Sequence, residues 1–277
     1  MPDHPKVTAL VPAWQAEAFI QPTLDALSTQ TMANLAVIVS VDLSDDATYE
    51  ICKAHQARDP RFSVYRQTSR RLGYAGNCNF LLDRVKSPYA LLAFHDDLLA
   101  PAYIEQIVSA LEAHPNAVLG YSDVVYTDAS GRSAHWVYTE LDAKNGPAAR
   151  AVSVLNKEGR WYLPNRGVFR MDAARQIGGI KTNASGDFSP DWAWLFHMAL
   201  LGPFVRVPKV LCNKRDKAHS HSKQWAYTVQ QWHDAAASCL EALWDAPLPL
   251  IQKIHITNQT VASMKVNLRK ATENHLS

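Results

Sequence analysis

The strictest constraint on how this chain can fold is the alternation at its start. Val7 to Val11 is a short apolar run, Ile20, Leu24 and Leu27 then recur at helical spacing, and a second apolar run follows from Leu35 to Val41. Unbroken apolar runs of this length suit buried strands, and recurrence every three or four residues suits a helix with one buried stripe, so the segment predicts a β-α-β unit. The pattern continues. A helix carrying Tyr49 and Ile51, with Ser44 or Asp45 as its cap, precedes a third strand at Phe62-Ser63-Val64-Tyr65. A helix from Asn77 onward supports a fourth strand at Tyr89 to Phe94, and the helix after Pro101 places Ile104, Ile107, Val108 and Leu111 on one face. Such alternation predicts an α/β fold, a Rossmann-like mostly parallel sheet with flanking helices.

In open sheets of this kind ligands bind outside the carboxyl ends of the strands. Two acidic groups sit there: Asp42, within Asp42-Leu43-Ser44-Asp45-Asp46, and the pair in His95-Asp96-Asp97. Adjacent carboxylates raise each other's pKa unless a cation or water compensates, and a hard divalent ion is an effective compensator. The alternative is that Asp96 and Asp97 open the following helix, where the macrodipole favours negative charge and Pro101 fits the first turn.

With 277 residues, 47% of them hydrophobic, the chain can bury a core as one large domain or one domain with a small appendage. The formal net charge of +2 argues against a nucleic-acid partner held by bulk electrostatics. Cys52, Cys78, Cys212 and Cys239 are scattered, with no zinc-like spacing, which fits free thiols and a cytoplasmic location. Lys6 precedes too few apolar residues for a secretory signal, and the apolar stretch from Trp192 to Val207 is too short to span a bilayer, so no transmembrane segment is expected.

Past residue 115 the pattern loosens. Val118 to Tyr126 reads as a strand, Arg132 to Arg160 as a variable binding loop, Asn165 to Arg170 as another strand, and two helices separated by Pro247 and Pro249 follow Gln224. No P-loop and no GxGxxG are present, which disfavours ATPase and dinucleotide readings.

Read together, Val7-Thr8-Ala9-Leu10-Val11-Pro12-Ala13-Trp14, Gln30-Thr31, Val39 to Thr48, Leu72-Gly73-Tyr74-Ala75-Gly76 with Asn79, and His95-Asp96-Asp97 resemble the family 2 glycosyltransferases of GT-A fold. The resemblance covers roughly residues 6 to 220 and implies a GT-A domain over 1–222, with a donor-nucleotide half to 115, an acceptor half from 116, and a C-terminal helical extension over 223–277. It implies that Asp42 binds the nucleotide base, although the aspartate that usually precedes it is Val41 here. It implies that Pro12 and Trp14 line the nucleoside pocket and that Arg71 reaches the donor, a task suited to a guanidinium's two-pronged donor set. Asp96 would contact ribose or metal. Asp97 would ligate a Mn2+ or Mg2+ that stabilises the departing diphosphate.

For the acceptor half, the resemblance implies that Asp191 deprotonates the acceptor hydroxyl, inverting the anomeric centre. The family's common Glu-Asp is Pro190-Asp191 here. Asp187 is the rival carboxylate, and Ser189-Pro190-Asp191 is equally what a plain helix start would choose. Trp192 and Trp194 either stack on a sugar or belong to the core. His219 or His221 would meet metal or diphosphate. The partners implied are a nucleotide-diphosphate sugar, in particular a UDP sugar, and a polysaccharide, glycolipid or metabolite acceptor. The C-terminal helices offer a surface for a homodimer or for peripheral contact with the inner face of a membrane, and their mixed polarity does not choose. Two rivals stand beside this reading: a sugar-phosphate nucleotidyltransferase, for which Pro12-Ala13-Trp14-Gln15 is a poor loop, and a non-catalytic sugar-nucleotide binding protein, in which Asp191 is only a helix cap.

Overall fold

The computed structural model describes residues 4–215 and 225–275. Strands β1 (Val7–Ala13), β2 (Leu35–Asp42), β3 (Phe62–Gln67) and β4 (Tyr89–Leu92) pair in parallel in the order β3-β2-β1-β4, joined by helices α1 (Ile20–Ser28), α2 (Thr48–Gln56) and α3 (Gly73–Leu82). All of β1 is buried, as befits a central strand covered on both faces. Val7 lies opposite both Leu35 and Tyr89, so β1, β2 and β4 reach their carboxyl ends at one edge of the sheet, and Trp14, Asp42 and the His95-Asp96 turn emerge there together.

The second half extends the sheet in mixed orientation. Strands β5 (Asp97–Leu99), β6 (Leu119–Thr127), β7 (Ser133–Trp136), β8 (Val168–Arg170) and β9 (Phe204–Arg215) complete the order β3-β2-β1-β4-β8-β6-β9-β5, with β7 on β6. Strand β8 is antiparallel to both β4 and β6, and β9 runs parallel to β6.

Four local expectations are corrected. The fourth strand ends at Leu92, and Asp97 begins β5, opposite Lys214 of β9. Helix α4 (Tyr103–Ala113) starts well beyond the carboxylates, so Asp96 and Asp97 open no helix, and Pro101 precedes the first turn. Helix α2 is capped neither by Ser44 nor by Asp45: Asp46 accepts the Thr48 N–H at 3.1 Å, while Ser44 Oγ accepts the Gln15 N–H at 3.0 Å and ties the β1 and β2 ends together. The stretch expected as a binding loop contains helix α5 (Pro147–Leu155), whose Ala151, Val154 and Leu155 are fully buried. Arg150, also buried, interrupts its apolar face and donates from Nε to the Ala199 carbonyl at 3.1 Å, which is why periodicity did not reveal it.

Helices α6 (Met171–Ile177), α7 (Pro190–Leu201), α8 (Val229–Asp245) and α9 (Leu250–His275) follow, and α8 and α9 pack on each other and against α7 and α5. Ser263 Oγ of α9 donates to the Leu155 carbonyl at 3.1 Å. Among the described residues no helix is long and apolar enough to cross a membrane.

Buried His197 of α7 makes this packing sensitive to pH. Its Nε2 faces the Ser238 carbonyl of α8 at 3.1 Å, an acceptor only, so Nε2 carries the proton, and Nδ1 has no hydrogen-bond partner among the described residues. Burial pushes its pKa down to about 4 against the partial support of the Ser238 bond. An unfolded histidine titrates near ~6.5, so the unfolded chain takes up the proton first as pH falls. Stability is therefore whole above about pH 6.5 and declines between there and about pH 4, by roughly 3 kcal/mol from this group. Urea midpoints at pH 7 and pH 5 should fall further for the wild type than for His197→Gln; equal falls would place the acid sensitivity elsewhere.

Candidate active site

The site is organised around the start of α3. The first backbone N–H groups of a helix have no intrahelical acceptor. Here Asp42 accepts from Leu72 N–H at 2.7 Å and Gly73 N–H at 2.9 Å, while Asp187 accepts from Tyr74 N–H at 2.5 Å and Ala75 N–H at 3.1 Å. Two carboxylates remote in sequence thus begin the helix at Gly73, ahead of the expected Asn77. Gly73 has φ +74°, and a Cβ there would lie 2.4 Å from Asp187 Oδ2, so any side chain would be strained and would have to displace that carboxylate. Asp187 thus spends both carboxylate oxygens on this cap. Asp42 is only 2% exposed and rigidly held, yet each oxygen keeps a second lone pair for a ligand.

Trp14 and Arg71, named separately from sequence, meet: the Arg71 guanidinium carbon lies 3.5 Å from the Trp14 ring centroid. Pro12 is buried, and its carbonyl lies 3.1 Å from His95 Nδ1, which pins the carboxylate turn to the end of β1.

The two adjacent aspartates have opposite surroundings. Asp96 keeps an exposed edge. Asp97 is 2% exposed and faces Arg166, with Nε 2.6 Å from Oδ2, although neither carboxylate oxygen has a well-aligned hydrogen bond. Burial lifts the Asp97 pKa, Arg166 pulls it back, and Asp96 adds to the lift. Arg166 closes the 3₁₀ turn Leu163–Arg166; burial opposes its charge, but Asp97, Cys212 and Asp96 together outweigh this and its pKa is raised. The Tyr103 hydroxyl donates to the Arg166 carbonyl, and Phe94 lies 5.4 Å below the guanidinium.

Asp191 occupies the first turn of α7, behind Pro190. Ser189 makes no capping hydrogen bond through its side chain, contrary to the plain helix-start reading. Asp191 Oδ1 accepts the Trp192 N–H at 3.1 Å. Burial lifts its carboxyl above the usual range, partly countered by that N–H and by the charges of Arg166 and Lys157. Arg166 thus interacts electrostatically with Asp96, Asp97 and Asp191 alike, and the 3₁₀ turn that carries it packs against α7. Trp192 and Trp194 are buried at 0% and 1% exposure: the Trp192 indole donates to the Val154 carbonyl and Trp194 packs edge-on against Phe169, so both belong to the core.

Backbone strain marks the same places. Among the described residues the non-glycine positions with positive φ are Gln15, Leu43, Lys157, Ser189 and Tyr227. Gln15 follows Trp14, Leu43 follows Asp42, and Ser189 lies two residues before Asp191. Such conformations persist where the surrounding structure over-determines them, commonly at ligand sites.

The profile of the family described as "Glycosyl transferase family 2" matches residues 8–177. The chain belongs to that family. The putative glycosyltransferase EpsH of Bacillus subtilis is 31% identical over 106 residues, 38% of this chain and 30% of that protein. The glycosyltransferase GlyA of Streptococcus pneumoniae is 31% identical over 102 residues, 37% of this chain and 14% of that protein. The chain therefore spans less than a third of the length of these two relatives. Among solved structures, Staphylococcus aureus TarS 1–349 in complex with UDP-GlcNAc superposes with a TM-score of 0.72 at 14% identity, covering 93% of this chain and 72% of that one. The mannosyltransferase PcManGT of Pyrobaculum calidifontis, in complex with GDP-Man and Mn2+, does so with a TM-score of 0.64 at 17% identity, covering 98% and 74%. The fold is GT-A.

Family 2 membership raises the question of a metal. Among the described residues no three histidine, cysteine or acidic side chains cluster as a ligand set, and His219 and His221 lie outside the described residues. A magnesium-type ion, however, commonly needs only one or two carboxylates beside substrate phosphates. Half-buried Asp96, backed by buried Asp97 oxygens that lack a hydrogen bond among the described residues, fits that requirement. Within the family 2 domain, sequence reasoning missed Arg166 and Lys157, because a lone basic residue carries no local signal until the fold surrounds it with acids or aromatics.

Proposed function

We propose that this family 2 chain is an inverting transferase that moves a sugar from a nucleotide diphosphate, in particular UDP, to a hydroxyl acceptor. The observation that carries the reading is Asp191: a carboxyl lifted by desolvation, in the same electrostatic field as the Asp96-Asp97 turn, through Arg166. A raised pKa improves a carboxylate as a general base. Asp191 takes the proton from the acceptor hydroxyl as its oxygen attacks the anomeric carbon. The bond to the diphosphate oxygen breaks on the opposite face, and the electron pair leaves with the nucleotide. Asp42 and the Trp14–Arg71 stack hold the base, with Pro12 beneath. Asp96 faces the ribose or the metal, while Asp97, tied to Arg166, sets the position of the turn; this reverses the emphasis of the sequence reading, in which Asp97 was the direct ligand. A bound Mn2+ or Mg2+ would be held by Asp96 and would supply charge neutralisation for the departing diphosphate. The UDP-GlcNAc bound by TarS and the GDP-Man and Mn2+ bound by PcManGT support the donor class. The exposed Leu250, Ile251, Ile254 and Val261 support a contact role for α9, with a second copy or a membrane face.

Thermal melting with nucleoside diphosphates, each with and without Mn2+, tests this reading. UDP with Mn2+ should stabilise the fold by about 2.7 kcal/mol at a hundredfold excess over Kd, and the effect should vanish in Asp42→Asn and shrink in Asp96→Ala. No response to any diphosphate, with a response to triphosphates instead, would favour the nucleotidyltransferase.

A further inference from the structure

Two of the strained residues, Lys157 and Tyr227, lie outside the segments assigned to the donor pocket, and both belong to one aromatic cluster. Phe188, three residues before Asp191, packs against Trp225 at 5.0 Å between ring centroids, Tyr227 at 5.8 Å and Trp232 at 5.0 Å. Trp192, immediately after Asp191, meets Trp232 at 6.0 Å. The Lys157 ammonium lies 3.3 Å from the Trp232 ring centroid and 4.3 Å from that of Trp192. The rings that bracket Asp191 in sequence are therefore the floor of a cluster whose rim is contributed by residues 225 to 232.

Floor and rim differ in exposure. Phe188 and Trp192 are 1% and 0% exposed, whereas Trp225 and Trp232 are half-buried and Tyr227 is 39% exposed. A cluster serving packing alone would gain by burying its rim rings. Instead the backbone holds Tyr227 at φ +52°, immediately before Thr228, which forms a reciprocal capping box with Gln231 at the start of α8. Asp234, one turn on, accepts from Ser185 at 2.6 Å and Gln230 at 2.7 Å, locking α8 to the loop that leads into Phe188. The rim is thus rigid, aromatic, partly open to solvent and joined to the segment carrying the candidate base. Burial and then the charge of Asp191 raise the Tyr227 hydroxyl pKa, which places the rim within electrostatic reach of that carboxylate.

Resting on the transferase reading above, we propose that Trp225, Tyr227 and Trp232 form the acceptor subsite, and that the acceptor is a pyranoside whose apolar C–H face stacks on these rings while a hydroxyl meets Asp191. A pyranose combines an apolar face with a rim of hydroxyls, and the cluster pairs aromatic faces with a carboxylate; an aliphatic amino acid or an acyclic lipid headgroup offers no ring face to stack.

Saturation-transfer NMR of the full chain with saturating UDP and Mn2+ tests it, with methyl β-D-glucopyranoside, methyl β-D-galactopyranoside and methyl N-acetyl-β-D-glucosaminide as probes. Transfer should reach the ring C–H protons of at least one probe, with affinity falling about tenfold in Tyr227→Ala and retained in Tyr227→Phe. Absence of transfer to all three probes, or equal transfer in wild type and Tyr227→Ala, overturns the subsite. A UDP titration of the same wild-type sample reads the donor site independently, so a failed subsite and a failed transferase reading give different results.

Discussion

Asp191→Asn is expected to lower turnover by about 10²- to 10⁴-fold, the range for loss of a positioned general base, while the affinity for UDP stays within about twofold. The amide keeps the shape of the carboxylate and still accepts the Trp192 N–H through its Oδ1. It cannot take a proton. Because burial lifts the Asp191 carboxyl, removing its charge relieves desolvation, so the variant should fold at least as stably as the wild type. Steady-state UDP release beside UDP titration checks the separation. Undiminished release in Asp191→Asn would reduce the residue to a helix-start acid. The wild-type rate should also rise with pH through a midpoint above the ordinary carboxylate range, since only the ionised form accepts the proton.

The largest expected loss of stability is in Arg166→Leu, about 3–5 kcal/mol, because it strands the buried Asp97 without its cation. The Asp97→Leu/Arg166→Leu double variant should regain most of that loss, since replacing a whole buried pair by apolar groups is often close to neutral. Urea denaturation of the two variants measures both. A loss under about 1 kcal/mol in the single variant would mean the pair behaves as a solvated one. Activity should not return with the stability, because Arg166 also acts on Asp96 and Asp191. Arg166→Lys is no conservative rescue: the contact is made through Nε of a planar fork, which an ammonium lacks.

The first half of the chain was legible wherever local pattern and final burial agree. The strands at Val7 and Leu35 and the helices at Ile20 and Tyr103 each bury the stripe that their spacing shows. Legibility failed where a partner comes from elsewhere. The start of α3 depends on Asp187, over a hundred positions away, so nothing near Gly73 announces it. Helix α5 was hidden by Arg150, a charge on its buried face that is tolerable only because the Ala199 carbonyl receives it. For Trp192 and Trp194 the sequence favoured the core for at least one, and their exposure places both there.

By itself the sequence determined the parallel β-α-β frame, the family, and the candidate groups at the strand ends, because short apolar runs, helical spacing and adjacent acids are local properties of a chain. Only the tertiary structure decided which aspartate of the pair is buried, that Asp187 caps α3, and that Arg71 lies on Trp14 and Arg166 against Asp97. Those are questions of desolvation and of distance between remote segments, and burial is a property that residues acquire together.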